Sequence, residues 1–295
     1  MSVTATDDEF AQAWQANRPY LVNLAYGMLG DIGAAEDAVQ EAFARFSTAD
    51  RAAIKDTRGW LIVVTSRVCL DQIGSARVRR ERAVDASAIE FTQAAERSPD
   101  PADRVTLDDE VRSALLVVLE RLSPAERVVF VLHDIFQTPF DSIATTVGRP
   151  VASCRQLARR ARLKIASEVG VVSQDVDVTQ HRLVADRFID ALSHGDIDAL
   201  VPLLDPDVWG DADMGPLDPR TGVVNRGFAK VSRNLMRWLG TTTLVSDPLS
   251  DQTQIFAFID RRLYAVIYLT VADGLVQRLH VVADPAKLEA MSASI

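Results

Sequence analysis

The stretch Thr138 to Lys164, TPFDSIATTVGRPVASCRQLARRARLK, constrains this chain more than any other. It reads as two short helices joined by a tight turn. Thr138-Pro139-Phe140-Asp141 predicts a helix start, with Thr138 as N-cap, Pro139 at the first helical position and Asp141 at the third. Ala144 is small enough for a second helix to approach closely, Gly148 tolerates the left-handed conformation that ends a helix, and Pro150 opens the next one. On that second helix Arg155, Arg159 and Arg162 share one face, and Arg160 and Lys164 form an adjacent stripe. Cys154, Leu157, Ala161 and Ile165 point the other way, toward a core. Between Asp141 and Glu168 the chain has no acidic residue. One apolar face and one cationic face, entered by a turn from a shorter helix, fit a helix-turn-helix that reads the DNA major groove. A solvated basic surface helix would share the charge pattern, but not the capping residues or the turn glycine.

The rest of the chain is acidic. Over 295 residues the formal net charge is -9, which argues against a general nucleic-acid binder. If DNA is the target, the positive charge is local and a partner supplies part of the affinity. The length allows two or three domains. The two cysteines, Cys69 and Cys154, lie far apart with no CxxC or Cys/His cluster, so neither a metal site nor a disulfide framework is expected, and buried reduced thiols are. The first residues, MSVTATDDEF, have no apolar core of a signal peptide, and no apolar run is long enough to span a bilayer. A cytoplasmic protein with no membrane partner is expected.

Residues 8–82 read as helices. Trp14, Leu21, Leu24, Ala25, Met28 and Leu29 keep helical spacing up to Gly30-Asp31-Ile32-Gly33. The next helix, Ala34 to Phe46, is strongly amphipathic: Ala35, Ala38, Val39, Ala42, Phe43 and Phe46 line one face, and Asp37, Gln40 and Glu41 stand on the other. After a loop from Ser47 to Thr57, a further apolar helix runs from Trp60 to Ile73. It carries Arg67 and leads into the basic cluster SARVRRER, with Arg77, Arg79, Arg80 and Arg82. The spacing of Trp60 places it in a core row rather than on a stacking surface. Residues 83–103, with Ser98-Pro99-Asp100-Pro101, have no sustained helical period and read as a linker. Residues 104–168 follow as a helix from Val105 to Leu122, a capping box at Ser123-Pro124-Ala125-Glu126, a helix from Arg127 to Phe136, and the helix-turn-helix.

Four segments in this order, AEDAVQEAFARF, RGWLIVVTSRVCLD with SARVRRER, LSPAERVVFVLHDIF, and the helix-turn-helix with CRQLARRAR, resemble regions 2 and 4 of sigma factors of the extracytoplasmic-function type. The resemblance covers residues 10–167. It implies that the Ala34–Phe46 helix docks on core RNA polymerase through Asp37, Gln40 and Glu41. It also implies that the segment carrying Arg58, Arg67, Arg77, Arg79, Arg80 and Arg82 opens and reads the −10 element of promoter DNA, and that region 4 reads the −35 element. Ser153, Arg155, Gln156 and Arg159 lie early enough on the second helix to reach bases, whereas Arg149, Arg160, Arg162 and Lys164 suit phosphates. Where many family members carry Asn, this chain has Arg67. The linker acids Glu90, Glu96, Asp100 and Asp103 suit a path near the polymerase active centre, or an ordinary acidic tether.

Beyond Gln174 the character changes. Two helices over residues 179–204 precede strands at Val208–Asp213, Thr242–Val245, Gln254–Asp260, Leu263–Val271 and Val276–Ala283, with a helix at Phe228–Leu239 between the first two. Helices followed by an antiparallel run predict an α+β domain. The expected fold is therefore multidomain: two all-α sigma domains plus an α+β domain over residues 178–290. This last domain resembles the SnoaL-like members of the NTF2-like superfamily, a curved sheet around helices with a pocket. A subgroup of extracytoplasmic-function sigma factors carries such a domain and two motifs, the first standing here as Asp211-Ala212-Asp213-Met214-Gly215 and the second as Asp284-Pro285-Ala286-Lys287-Leu288. Asp211, Asp284, Pro285 and Lys287 are its candidate regulatory contacts.

Asp211, Asp213, Tyr264, Tyr268 and His280 are residue types that isomerases of the superfamily use, but no spacing singles out a pair, so catalytic residues and cofactors are not expected. The expected function is an alternative sigma factor whose C-terminal domain modulates it, with a small-molecule ligand as a further candidate partner. A stand-alone helix-turn-helix regulator with a ligand-sensing NTF2-like domain remains open, as does an isomerase or hydrolase fused to a DNA-binding part.

Overall fold

The structure is a computed structural model, and it describes residues 3–87, 119, 121–169, 176–246 and 253–292. The first unit is built from α1 (Val3–Leu29), α2 (Ile32–Thr48) and α3 (Thr57–Ser87). Asp31 sets the start of α2: its Oδ1 accepts a 2.6 Å hydrogen bond from the Ala34 N–H, which satisfies one of the donors a helix start leaves open. The apolar stripe of α2 is buried as its spacing predicts, from Ala35 to Phe46. Phe43 packs edge-on to Phe10, Trp14 and Phe46, and Trp60 lies 5.7 Å from Phe46, half-buried in the same core. Pro19 lies inside α1 and has no N–H for the Gln15 carbonyl; His194 Nε2, from the third unit, sits 2.9 Å from that oxygen.

In the second unit Ser123 caps the first fully described helix. Its Oγ accepts from the Glu126 N–H while Glu126 Oε2 accepts from the Ser123 N–H, the reciprocal capping box that the sequence predicts. Helix α4 (Pro124–Phe130) widens into a π turn over Val131–Ile135. Helices α5 (Phe140–Val147) and α6 (Val151–Val169) follow. Gly148 takes φ 66° and closes α5 in the left-handed conformation. The start of α5 differs from expectation: Pro139, not Thr138, is the N-cap, and no side chain caps it. The exit from the π turn explains this, because the Thr138 N–H is committed to the Leu132 carbonyl (2.8 Å) and its carbonyl lies 3.2 Å from His133 Nδ1. Of the expected Val105–Leu122 helix, only Leu119, Arg121 and Leu122 are described, and both leucines are buried. The linker acids at 90, 96, 100 and 103 lie outside the described residues.

The third unit comprises α7 (Val176–Ser193), α8 (Ile197–Leu200), α9 (Phe228–Leu239), α10 (Pro285–Ser292) and a six-stranded sheet. Its strands are β1 (Leu204–Asp213), β2 (Asn225–Arg226), β3 (Thr243–Ser246), β4 (Thr253–Ile259), β5 (Arg262–Ala272) and β6 (Leu275–Val282), in the order β2-β1-β6-β5-β4-β3. The sheet is mixed rather than the expected antiparallel run, because β1 pairs parallel to β6. The chain between them includes α9 and the β3–β5 meander, a long crossover that lets both strands run the same way. This is an α+β arrangement, helices packed on a mixed sheet.

Both faces of the sheet are covered. One buries Ile255, Ala257, Ala265, Ile267 and Leu279 with Phe188 and Leu192 of α7 and Leu235 of α9. The other lays Val245, Phe256, Phe258, Val266 and Val282 into the core of the helical units, with Tyr26 of α1 at 6.3 and 6.1 Å from Phe256 and Phe258. Burial on both sides accounts for the nearly unbroken apolar run of β4.

Asn23 fastens this seam. Its Oδ1 accepts from the Ser246 N–H (2.8 Å) and hydroxyl (3.1 Å), and its Nδ2 donates to Asp186 Oδ1 (3.2 Å). Burial pushes the Asp186 carboxyl up to about 6, against the Asn23 hydrogen bond and the Arg182 charge, which pull it down. A carboxyl raised in the folded state favours folding while protonated, so its contribution is complete below about pH 4 and lost as pH rises through 6, by at most about 3 kcal/mol. Asp186→Asn, which keeps an acceptor for Asn23, is therefore expected to raise the thermal midpoint at pH 7.5 and leave it unchanged at pH 4. Equal midpoints at both pH values would contradict this account.

Candidate nucleic-acid and polymerase interfaces

The polar face of α2 stands clear of the core. Asp37, Gln40 and Glu41 are exposed, and Glu41 accepts from Arg45 Nε one turn on (2.9 Å). Asp37 already has a partner from far along the chain. Arg261, at the tip of the β4–β5 hairpin, lies 2.5 Å from Asp37 Oδ1 and 3.2 Å from Glu36 Oε2. Glu36 is half-buried and also meets Arg18 at 2.7 Å and the Thr243 hydroxyl at 3.3 Å. Sequence reasoning pointed to neither Glu36 nor Arg261. The only local signal was the two-residue gap between two strand-like runs.

Candidate −10 residues lie along α3, which runs on as one helix to Ser87, well past the expected end at Ile73. Arg58 stacks over the Tyr20 ring, 4.4 Å from its centroid. Arg67 donates to the carbonyls of Thr146 (3.1 Å) and Thr145 (2.7 Å), so it caps the C-terminal end of α5, where helical carbonyls lack intrahelical partners. Arg77, Arg79, Arg80 and Arg82 fall on the α3 backbone, and their side chains lie outside the described residues.

On the helix-turn-helix, Arg149, Arg155, Gln156, Arg159 and Arg160 are exposed and Ser153 is half-buried. Arg155 sits 5.7 Å from the Phe140 ring centroid. Cys154, Leu157, Ala161 and Ile165 are buried, as the apolar face requires. The cationic row is interrupted at its C-terminal end. Arg162 Nε donates to Asp134 Oδ1 (2.6 Å) and Lys164 Nζ donates to Glu126 Oε2 (2.7 Å). Burial works against ionisation of Glu126, but Lys164 and the Ser123 hydrogen bonds outweigh it and hold the carboxyl below its usual range. The helix thus presents its exposed cations toward its N-terminal half, while Lys164 anchors α6 to α4 and Arg162 anchors it to the π turn that follows. Cys69 and Cys154 are buried free thiols, and burial pushes that of Cys69 up to about 12.

In the third unit the two motif remnants meet. Asp213 Oδ2 accepts from Lys287 Nζ (2.6 Å) and its Oδ1 from the Gly215 N–H (3.1 Å); the lysine, then the Gly215 hydrogen bond, hold this carboxyl below its usual range. Buried Asp284 caps α10 through the Ala286 N–H (3.0 Å), and Pro285 is the first residue of that helix. Strand register brings Asp211 beside His280: Oδ2 lies 2.8 Å from Nδ1, with Arg278 3.6 Å from Oδ1 and stacked 4.4 Å over Trp209. A cavity of about 400 Å³ opens between α9 and the sheet, lined by apolar Val231, Leu235 and Trp238 and by Asn225, Asn234 and Tyr264. Asp211, Arg220 and Arg237 also line it, whereas His280 does not.

The described residues thus present a helix face carrying exposed acids, a long helix that leads into a basic segment, a helix-turn-helix whose exposed cations lie toward its N-terminal half, and an α+β unit packed against the helices. Residues 13–80 match the model of Sigma-70 region 2 and residues 112–165 that of Sigma-70, region 4. The chain is 49% identical over 290 residues to the probable ECF RNA polymerase sigma factor SigI of Mycobacterium tuberculosis, covering 98% of each. It is 36% identical over 287 residues to ECF RNA polymerase sigma factor SigJ of the same organism, covering 93% of this chain and 91% of that one. The crystal structure of SigJ aligns over 95% of this chain and 98% of its own with a TM-score of 0.37 and 30% identity. The protein belongs to the extracytoplasmic-function family of RNA polymerase sigma factors.

Proposed function

We propose that this protein directs core RNA polymerase to a promoter class of its own, docking through Asp37, Gln40 and Glu41 on α2 and reading DNA at two points. Arg58, Arg67 and the basic end of α3 engage the −10 element. Arg155, Gln156 and Arg159 read −35 bases, with Arg149 and Arg160 on phosphates. The observation that carries this reading is the exposed row Arg155, Gln156 and Arg159 on a helix whose other face is buried.

Arginine pairs in bidentate fashion with guanine and glutamine with adenine, each worth about 1–3 kcal/mol of discrimination. The two readers touch in this structure through Arg67 and α5. Elements centred about 25 base pairs apart lie roughly 80 Å apart along B-DNA, so the units part when both engage. The cavity beneath α9 is proposed to take a small, largely apolar ligand and the domain to act as a modulator rather than as an enzyme; the acid–base pair Asp211–His280 has its histidine outside the cavity lining.

The test is run-off transcription by core polymerase with and without the protein, on promoters selected from a random-sequence library. Promoter-specific transcripts that depend on the protein are expected. Arg159→Ala is expected to relax sequence preference at −35 positions, lowering promoter discrimination about 5- to 150-fold while core binding persists. Duplex DNA binding without any core binding would overturn the reading.

A further inference from the structure

The geometry points to the β4–β5 hairpin as an intramolecular competitor for the polymerase-docking face of α2, with Arg261 as the residue that occupies it. This inference rests on the docking role proposed for Asp37. Three observations carry it. Arg261 bridges two carboxylates at once, Asp37 on the exposed face and Glu36 behind it, and Glu36 is itself held by Arg18 and Thr243, so that carboxylate is fixed independently of the arginine.

The second observation is the turn itself. Asp260 and Arg261 both take positive φ, 48° and 63°. Two-residue hairpins of this hand favour Asn or Asp followed by Gly, and the β5–β6 hairpin of the same sheet uses that pairing, Asp273-Gly274, at φ 53° and 76°. The β4–β5 hairpin instead places a long cationic side chain where glycine would be at ease. Local strain retained at one turn and avoided at its neighbour marks a position where the side chain has a task.

The third is the course of the arginine over α2. The Arg261 side chain runs along Gly33 in the first turn of the helix, where a Cβ would stand at ordinary contact distance, 3.4 Å from Nη1 and 3.7 Å from Cδ, so the arginine lies against α2 rather than reaching Asp37 from solvent.

A basic surface that reads the acidic face of α2 must displace this arginine to reach Asp37. The hairpin and polymerase therefore exclude each other at that carboxylate. Anything that shifts the third unit against α1 and α2 changes how much of the protein is free to dock. The contact is exposed and ionic, so its effect is modest and weakens with salt.

The experiment measures the affinity of the full chain for core polymerase by fluorescence anisotropy at low and moderate salt, for the parent, Arg261→Gly and Arg261→Asn. Both replacements suit positive φ, so the hairpin is retained and thermal midpoints report on it. Tighter binding by about two- to fivefold at low salt, shrinking as salt rises, is expected for both. Affinity equal to or below the parent in both variants overturns the competition, and so does a gain that does not diminish with salt. Asp37→Lys, run alongside, separates the two readings: if it leaves core binding intact, the docking assignment fails and not merely the competition.

Discussion

Reversing the charge of Asp37 and Glu41 together to lysine is expected to lower affinity for core polymerase by about 100-fold or more, and to abolish promoter-dependent transcription with it. Both side chains are exposed on the same face of α2, one turn apart. A cationic surface that docks there meets two like charges where it had two opposite ones, and such juxtaposition costs several kcal/mol. The folded protein loses little. Glutamate and lysine have nearly equal helix propensity, and the pairs with Arg45 and Arg261 are exposed and screened by solvent, so they contribute little to the fold. The check is pull-down of core polymerase beside circular dichroism of the same sample. A loss of binding with unchanged helicity assigns the effect to the surface. Full binding by the variant would leave the chain a DNA binder that does not use this face.

Phe43→Ala is expected to destabilise the first unit by about 3–5 kcal/mol, read as a shift in the first transition of a urea titration. Phe43 is 1% exposed and is the hub of an aromatic cluster: Phe10, Trp14 and Phe46 all meet its ring, at 5.8, 4.8 and 6.2 Å. Truncation removes the transfer free energy of the ring and leaves a space that three large, mutually packed neighbours close only in part. The helix that carries the docking acids also carries Phe43, so the variant is expected to lose polymerase binding at physiological temperature as a consequence of unfolding, and to recover it on cooling. A shift below about 1 kcal/mol would mean that this core is looser than its contacts imply.

What the sequence determined by itself is whatever local rules control. The buried stripe of α2, the bounds of α9, the reciprocal cap at Ser123 and Glu126 and the helix stop at Gly148 are set by side chains within a few residues of one another, and all four appear in the structure where the spacing places them. The regional likeness to two sigma domains was legible for the same reason: each motif is a short periodic helix with its own caps. Some element ends were not legible. Helix α3 outruns its apolar pattern by fourteen residues, from Ile73 to Ser87, and Pro139 takes the cap that Thr138 was expected to hold.

Tertiary structure alone decided which charges are free. Arg162 shares a face with Arg155 and Arg159, and Lys164 shares the adjacent stripe with Arg160, yet the two meet Asp134 and Glu126, 28 and 38 residues earlier in the chain. Arg67 turns to the end of a helix 78 residues away, and Arg261 to carboxylates more than 220 residues away. The parallel pairing of β1 with β6, which sets Asp211 against His280, likewise depends on a crossover and not on either strand's own pattern. Helical and strand periods report which face of an element is buried, because burial of apolar area is nearly independent of what covers it. An ion pair depends on two particular atoms meeting at about 3 Å, and no periodicity within either segment records where the other one folds.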